Sequence, residues 1–264
     1  MKNKKVFKLI YIVIAIIIGI LLILLFVNFI PAFSLKAQGM NVFEGKWVNV
    51  YYEKEKDAAQ DTFTIADARA GELADLLGIT EKHNIKIYIY DNQFAMQQKK
   101  YGFIAPMLGL DWYIGDNIGT NIILTSPANP GKVHDYNNVK NAVLHEIVHA
   151  YNSMLNKNMS YWIDNGLAGY LSDQKPDYPI CSYLPIPTFE QTQVNGLLSP
   201  ITFSDFSGYE YSYAYIEYLV GTYSWDKVKR FIKSVDYELE FGCTELAVYE
   251  EWVLFVKNNY SNFK

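Results

Sequence analysis

His145 and His149 stand four residues apart with Glu146 between them, in a segment from Asn138 to Leu155 that reads as helix. Residues at i and i+4 share one helix face, so both imidazoles project the same way. Two neutral imidazoles at that spacing can hold a zinc ion, and a glutamate next to the first can take a proton from the water that the metal activates. The chain has only four histidines. An amphipathic core helix can carry the same pair without any metal. Here Ala142, Val143, Leu144, Ile147, Val148, Ala150, Tyr151, Met154 and Leu155 make the helix apolar nearly all round. That places it in a core, where two imidazoles need partners. His83 and His134 fall in expected loops; His134 is near enough in sequence to act as a reserve ligand.

The elements that must position this helix are legible on either side of it. Residues 46–53 and 84–91 alternate as strands, 120–126 reads as a further strand closed by Pro127 to Gly131, and 101–105 and 112–115 are short strand candidates. Residues 57–78 carry apolar residues at helical spacing and end on Gly78, and 94–100 reads as a short helix. In a peptidase, the strand near Ile122 would hold an extended substrate by strand addition. Downstream, 161–171, 209–223, 225–233 and 245–258 read as helices, Ser224 and Thr244 being candidate caps. Between them, the proline-rich residues 173–208 read as a long loop over the cleft.

Residues 1–8 form a basic tail, and 9–30 is an almost unbroken apolar run long enough to span a bilayer. The run exceeds the h-region of a signal peptide, which favours a retained anchor. Lysines on its N-terminal side predict a cytoplasmic N-terminus and an exported remainder. Residues 31–43 then read as linker, 44–256 as one folded domain and 257–264 as a tail. Five of the 23 basic residues and none of the 28 acids precede residue 37, so the exported part carries 18 against 28, a net charge of −10. Such a surface argues against nucleic acid as partner. Cys181 and Cys243 are the only cysteines, and either a disulfide or two free thiols is compatible with export.

The order strand, long helix, strand, strand, then Val143-Leu-His-Glu-Ile-Val-His149, resembles the gluzincin-type peptidase MA-like domains of bacteria. Tyr161-Trp-Ile-Asp-Asn-Gly-Leu-Ala-Gly-Tyr-Leu171 is similar to their second motif, Trp-Leu-x-Glu-Gly-Leu-Ala-x-Tyr-Leu. Residues 209–219 and 242–256 resemble their third and closing helices. The resemblance implies an α+β, zincin-like fold: a small mixed sheet with the active-site helix (44–155), followed by a mostly helical part (156–256). It also implies zinc as cofactor, Glu146 as catalytic base, and Tyr209 or Tyr213 as donor to the oxyanion. The third zinc ligand of such domains is the glutamate of the second motif, and Asn165 stands there instead. Its amide is neutral, which weakens metal binding. Asp164, one residue earlier, is the alternative ligand, although one helical step turns a side chain by about 100°. The expected function is a membrane-anchored zinc metallopeptidase acting on peptides or proteins outside the cytoplasm. The alternative is a non-catalytic pseudopeptidase that binds ligands through the same fold.

Overall fold

A computed structural model of the chain describes residues 2–81, 83–196 and 199–261, with side chains from residue 7 onward. The residues of the basic tail before Phe7, residues 197 and 198 of the proline-rich loop and the last three residues thus lie, wholly or in their side chains, outside the described residues. The fold is α+β, with one mixed five-stranded sheet and twelve described α-helices. In chain order these begin with α1 (Lys2–Asn28), β1 (Asn41–Glu44), β2 (Val48–Tyr52), α2 (Lys56–Leu77), β3 (Ile85–Tyr90), α3 (Gln93–Tyr101), β4 (Gly115–Ile118) and β5 (Asn121–Thr125). Then follow α4 (Tyr136–Leu155), α5 (Tyr161–Leu171), the short α6 (Ile180–Tyr183), α7 (Phe189–Thr192) and α8 (Ser199–Asp205), and α9 (Gly208–Tyr223). The chain closes with α10 (Trp225–Ser234), α11 (Tyr237–Phe241) and α12 (Glu245–Asn259).

Within α1, residues Phe7–Asn28 are long and apolar enough to cross a membrane, a property shared by anchors and signal sequences. The sheet order is β1-β2-β3-β5-β4. β2, β3 and β5 run parallel, while β1 and β4 are antiparallel edges. Strand alternation divides the central strands between two cores. Ile85, Ile87, Ile89, Ile122 and Leu124 face α2 and α4 in the larger one; Tyr88, Tyr90 and Ile123 pack with Met96 of α3 in the smaller. Parallel strands covered on both faces are expected to read as near-continuous apolar runs, and β5 does.

α2 is fastened to the start of β2 by Asp67, whose carboxylate accepts from the Trp47 amide at 2.6 Å and the Val48 amide at 3.1 Å. It ends at Gly78, where φ is +71° and the amide caps Ala74 and Asp75. α4 starts on Asp135, whose side chain and that of Asn138 close a reciprocal capping box. α5 crosses α9 at Gly166, where any Cβ would lie 2.5 Å from the Ser212 carbonyl oxygen. Trp162, Phe203, Tyr215 and Trp252 then interlock edge to face beneath that crossing. The larger core runs from Val48 to Tyr260 without a break, so the sheet part and the helical part share one interior.

Several elements differ from the sequence expectation. Residues 31–43, expected as linker, contribute the first three residues of β1, which pairs with β2 from Asn41 to Glu44. Residues 101–105 are not a strand: α3 ends at Gly102 (φ +72°), and Gly102–Leu108 forms a 3-10 helix. Only Gly115 of the 112–115 candidate is in a strand, as the first residue of β4. The proline-rich loop holds α6, α7 and the described part of α8. The C-terminal tail is partly core, because Tyr260 is buried and its hydroxyl donates to Glu217 at 2.6 Å. The strand around Ile122 is bonded on both sides, to β3 and to β4, and has no free edge for a peptide. The free edge beside α4 is β4. Cys181 and Cys243 are free thiols.

Candidate metal centre

α4 carries His145, Glu146 and His149 along the wall of a cleft of about 650 Å³. The opposite walls come from β4, the N-terminal half of α5, Gln174 and the start of α9. The two imidazole rings lie 4.7 Å apart, centroid to centroid, at 74°. Nδ1 of each ring faces an oxygen, as a hydrogen bond for His145 and as an ion pair for His149. That of His145 lies 2.9 Å from the Gln174 side-chain oxygen, and that of His149 lies 2.8 Å from an Asp164 carboxylate oxygen. The Gln174 oxygen is an acceptor, so the hydrogen of His145 sits on Nδ1 and its Nε2 keeps a lone pair, whereas His149 meets Asp164 as an ion pair without hydrogen-bond geometry and offers Nε2 to a cation only after losing a proton. The second Asp164 oxygen accepts from the Asn152 amide at 2.8 Å, fixing the carboxylate from behind.

Electrostatics separates the three side chains of α4. Burial, then repulsion from His149, lowers the His145 pKa to about 3, so this ring is neutral. Burial also raises the Glu146 pKa to about 8, with the nearby Asp116 carboxylate adding to the shift. For His149, burial pulls downward, but Asp164 outweighs it through charge and hydrogen bond and brings the pKa up to about 9. A carboxyl whose pKa is brought near neutrality by burial can both take and return a proton.

The edge strand β4 approaches Glu146 closely. A Cβ on Gly115 would sit 3.1 Å from a Glu146 carboxylate oxygen, so a larger residue here would press on that side chain. Next along β4, Asp116 pairs with Lys100 at 2.6 Å and accepts from the Tyr113 hydroxyl, which braces the cleft rim.

The remaining sequence-predicted residues are distributed as follows. Asn165 is buried at the cleft wall, and its Nδ2 donates to the Tyr161 carbonyl at 2.9 Å. Asp164 lies on the Nδ1 side of His149. Tyr209 lines the cleft, with its hydroxyl 3.4 Å from that of Tyr161 and its pKa raised by burial. Tyr213 lies elsewhere on α9, packed on Gly169 and the Tyr170 ring, with its pKa raised to about 12 by burial. His134 lines the cleft but donates from Nε2 to the Trp112 carbonyl at 2.8 Å. His83 precedes β3 and does not line the cleft. Among the described residues, no three His, Cys, Asp or Glu side chains converge as a metal cage. The donors available to a cation are therefore two imidazoles and the Asn165 amide oxygen.

A scan of protein-family models returns no match for this chain, and neither does a search of curated proteins.

The sequence does not mark Gln174 or Asp116 as a site residue. Gln174 follows α5 in a turn, and nothing about a glutamine after a helix marks it as a histidine partner. Asp116 sits in a four-residue strand whose burial is uniform along its length, so no alternation signals which side chain meets the cleft.

Proposed function

We propose that this protein is a membrane-anchored, zinc-dependent peptidase of zincin-like fold whose cleft lies outside the cytoplasm. The observation that carries the reading is the joint arrangement of His145 and His149: two neighbouring rings, each with Nδ1 within 2.9 Å of its own oxygen partner, beside a buried Glu146 in one cleft. Imidazoles with that outer support are oriented for a metal ion. The donor set fits zinc with one weak position, because Asn165 offers a neutral oxygen where a carboxylate would add charge. When bound, zinc supplies Lewis acidity that polarises a carbonyl and acidifies water.

The protein's own groups account for the other requirements of peptide hydrolysis. Glu146 accepts the proton of the attacking water and returns it to the departing amine, a role suited to a carboxyl whose pKa burial raises. The free edge of β4 offers backbone groups to an extended peptide, which would run along the cleft as an added strand. Tyr209 presents a hydroxyl to the cleft that can donate to a developing oxyanion. Tyr213, packed under α5, takes no part.

One observation favours the second reading, a non-catalytic binding domain: Asn165 supplies a neutral donor, so the site lacks an anionic third ligand. The two readings part on one experiment. The full chain in detergent, loaded with zinc, is incubated with a mixed peptide library alongside the Glu146→Gln variant. Cleavage by the wild type that the variant and a chelator both abolish supports the peptidase. Equal product from both proteins, or none from either while zinc is bound, would leave the binding domain as the better reading.

A further inference from the structure

α1 does not end in a free tether. The Asn28 side chain donates to the Tyr101 carbonyl at 3.1 Å and accepts from the Ile104 amide at 3.0 Å. At the junction lies Gly102, where a Cβ would come within 2.2 Å of the Asn28 carbonyl oxygen, so the end of α1 and the 3-10 segment Gly102–Leu108 meet backbone to backbone. The chain between α1 and β1 is strapped down as well. Lys99 donates to the Ser34 carbonyl at 2.8 Å, and the Tyr90 hydroxyl donates to the Leu35 carbonyl. The folded domain is thereby fixed to the end of α1 through one particular face.

That face is apolar and uncovered. Met107 is 84 % exposed, and Phe103 and Ile104 are about half exposed; Phe33 and Ile30, just after α1, are likewise exposed. Exposed apolar side chains clustered on a short segment usually mark an interaction surface. Their position says which one. The span Phe7–Asn28 has 22 residues, which at the helical rise gives about 33 Å, close to the thickness of a bilayer hydrocarbon core. Asn28 then lies at the outer boundary of that core, and the segment bonded to it lies at the depth of the lipid headgroups.

We propose that Gly102–Leu108 is a second membrane contact: Phe103, Ile104 and Met107 enter the lipid interface beside α1 and hold the domain flat on the bilayer. The occupant of this face is the same lipid bilayer that α1 crosses, because the two surfaces are continuous through Asn28. Apolar side chains at the acyl boundary add binding to an existing anchor without spanning. The inference rests on α1 being a retained membrane helix. It also has a consequence for the cleft, since Lys100, in the last turn of α3 and two residues before this segment, lines the cleft and pairs with Asp116 on its rim. The cleft opens close to the membrane, and segments next to the bilayer are the polypeptides it can reach.

The test uses the full chain reconstituted in vesicles of phosphatidylcholine and phosphatidylglycerol. Three variants each place the photoreactive residue p-benzoylphenylalanine at one exposed position: Leu21 in α1, Met107, and Leu239 in α11. After irradiation, adducts are read by mass spectrometry. The expected result is lipid adducts at Leu21 and Met107 and none at Leu239. Adducts at Leu21 alone would overturn the second contact while leaving the anchor intact. Absence at both Leu21 and Met107 would overturn the anchor and the contact together. Lipid adducts at all three, or a protein dimer crosslinked through Met107, would also overturn it, the latter by showing that a second copy covers this face.

Discussion

Replacing Asp164 with asparagine separates an orienting role from direct metal ligation. In the wild type one carboxylate oxygen lies 2.8 Å from His149 Nδ1 as an ion pair, and the other accepts from Asn152 at 2.8 Å. Asparagine keeps the shape and one acceptor. With that acceptor still engaged by Asn152, its NH2 group faces Nδ1, and the ring must place its hydrogen on Nε2, the nitrogen needed for zinc. Loss of such an outer partner costs about 10- to 100-fold in metal affinity, or about 1.4–2.7 kcal/mol. The assay is a zinc competition titration of the full chain against a chromophoric chelator, wild type beside Asp164→Asn. An affinity change within about twofold would show that Asp164 does not orient His149. A loss beyond about a thousandfold would exceed what an orienting partner supplies and would make Asp164 a direct ligand.

Asn165→Glu supplies the missing anionic donor. It should raise zinc affinity and enlarge the zinc-induced rise in Tm, while lowering the Tm of the metal-free protein, because a carboxyl replaces a satisfied amide at a buried position; thermal unfolding with and without zinc reads both. Glu146→Gln should stabilise the metal-free protein increasingly with pH. The native Glu146 pKa is raised to about 8, so the stability that its bound proton contributes is present below the unfolded value and lost as pH rises through 8. The Tm gain of Glu146→Gln should therefore be small at pH 5 and larger at pH 8, worth up to a few kcal/mol; a gain independent of pH would refute the assigned protonation. Gly166→Ala drives a methyl group against the Ser212 carbonyl and should cost about 1–3 kcal/mol in a urea titration. An unchanged midpoint would mean that α5 and α9 do not cross as closely as described.

Local pattern made the long elements legible. The 3.6-residue apolar period of α2 and α4, and the alternation of β3, need no tertiary information. What stayed hidden depends on pairing and distance. β1 is four residues with no clear alternation in burial and exists only because β2 lies beside it. Residues 101–105 combine a glycine with an apolar run, but Gly102 takes a positive φ against the end of α1 and the chain continues as a 3-10 helix. The Ile122 strand carries the right residues for a strand beside α4, but edge or interior is a property of sheet order, and β4 occupies the edge. Within the site, HExxH spacing brings His145, Glu146 and His149 together by helix geometry alone. The relation of Asp164 to Asn165 required the crossing of α4 and α5, which directs Asp164 to Nδ1 of His149 and leaves Asn165 at the cleft wall.

The proposed peptidase depends on His145 and His149 together binding zinc in this cleft. Zinc content, measured by elemental mass spectrometry on the full chain after zinc loading and dialysis, tests it when wild type is compared with the His145→Ala/His149→Ala variant, both checked for native secondary structure by circular dichroism. The expected result is stoichiometric zinc in the wild type and none above background in the variant. Equal zinc in both proteins, or none in the folded wild type, would contradict it.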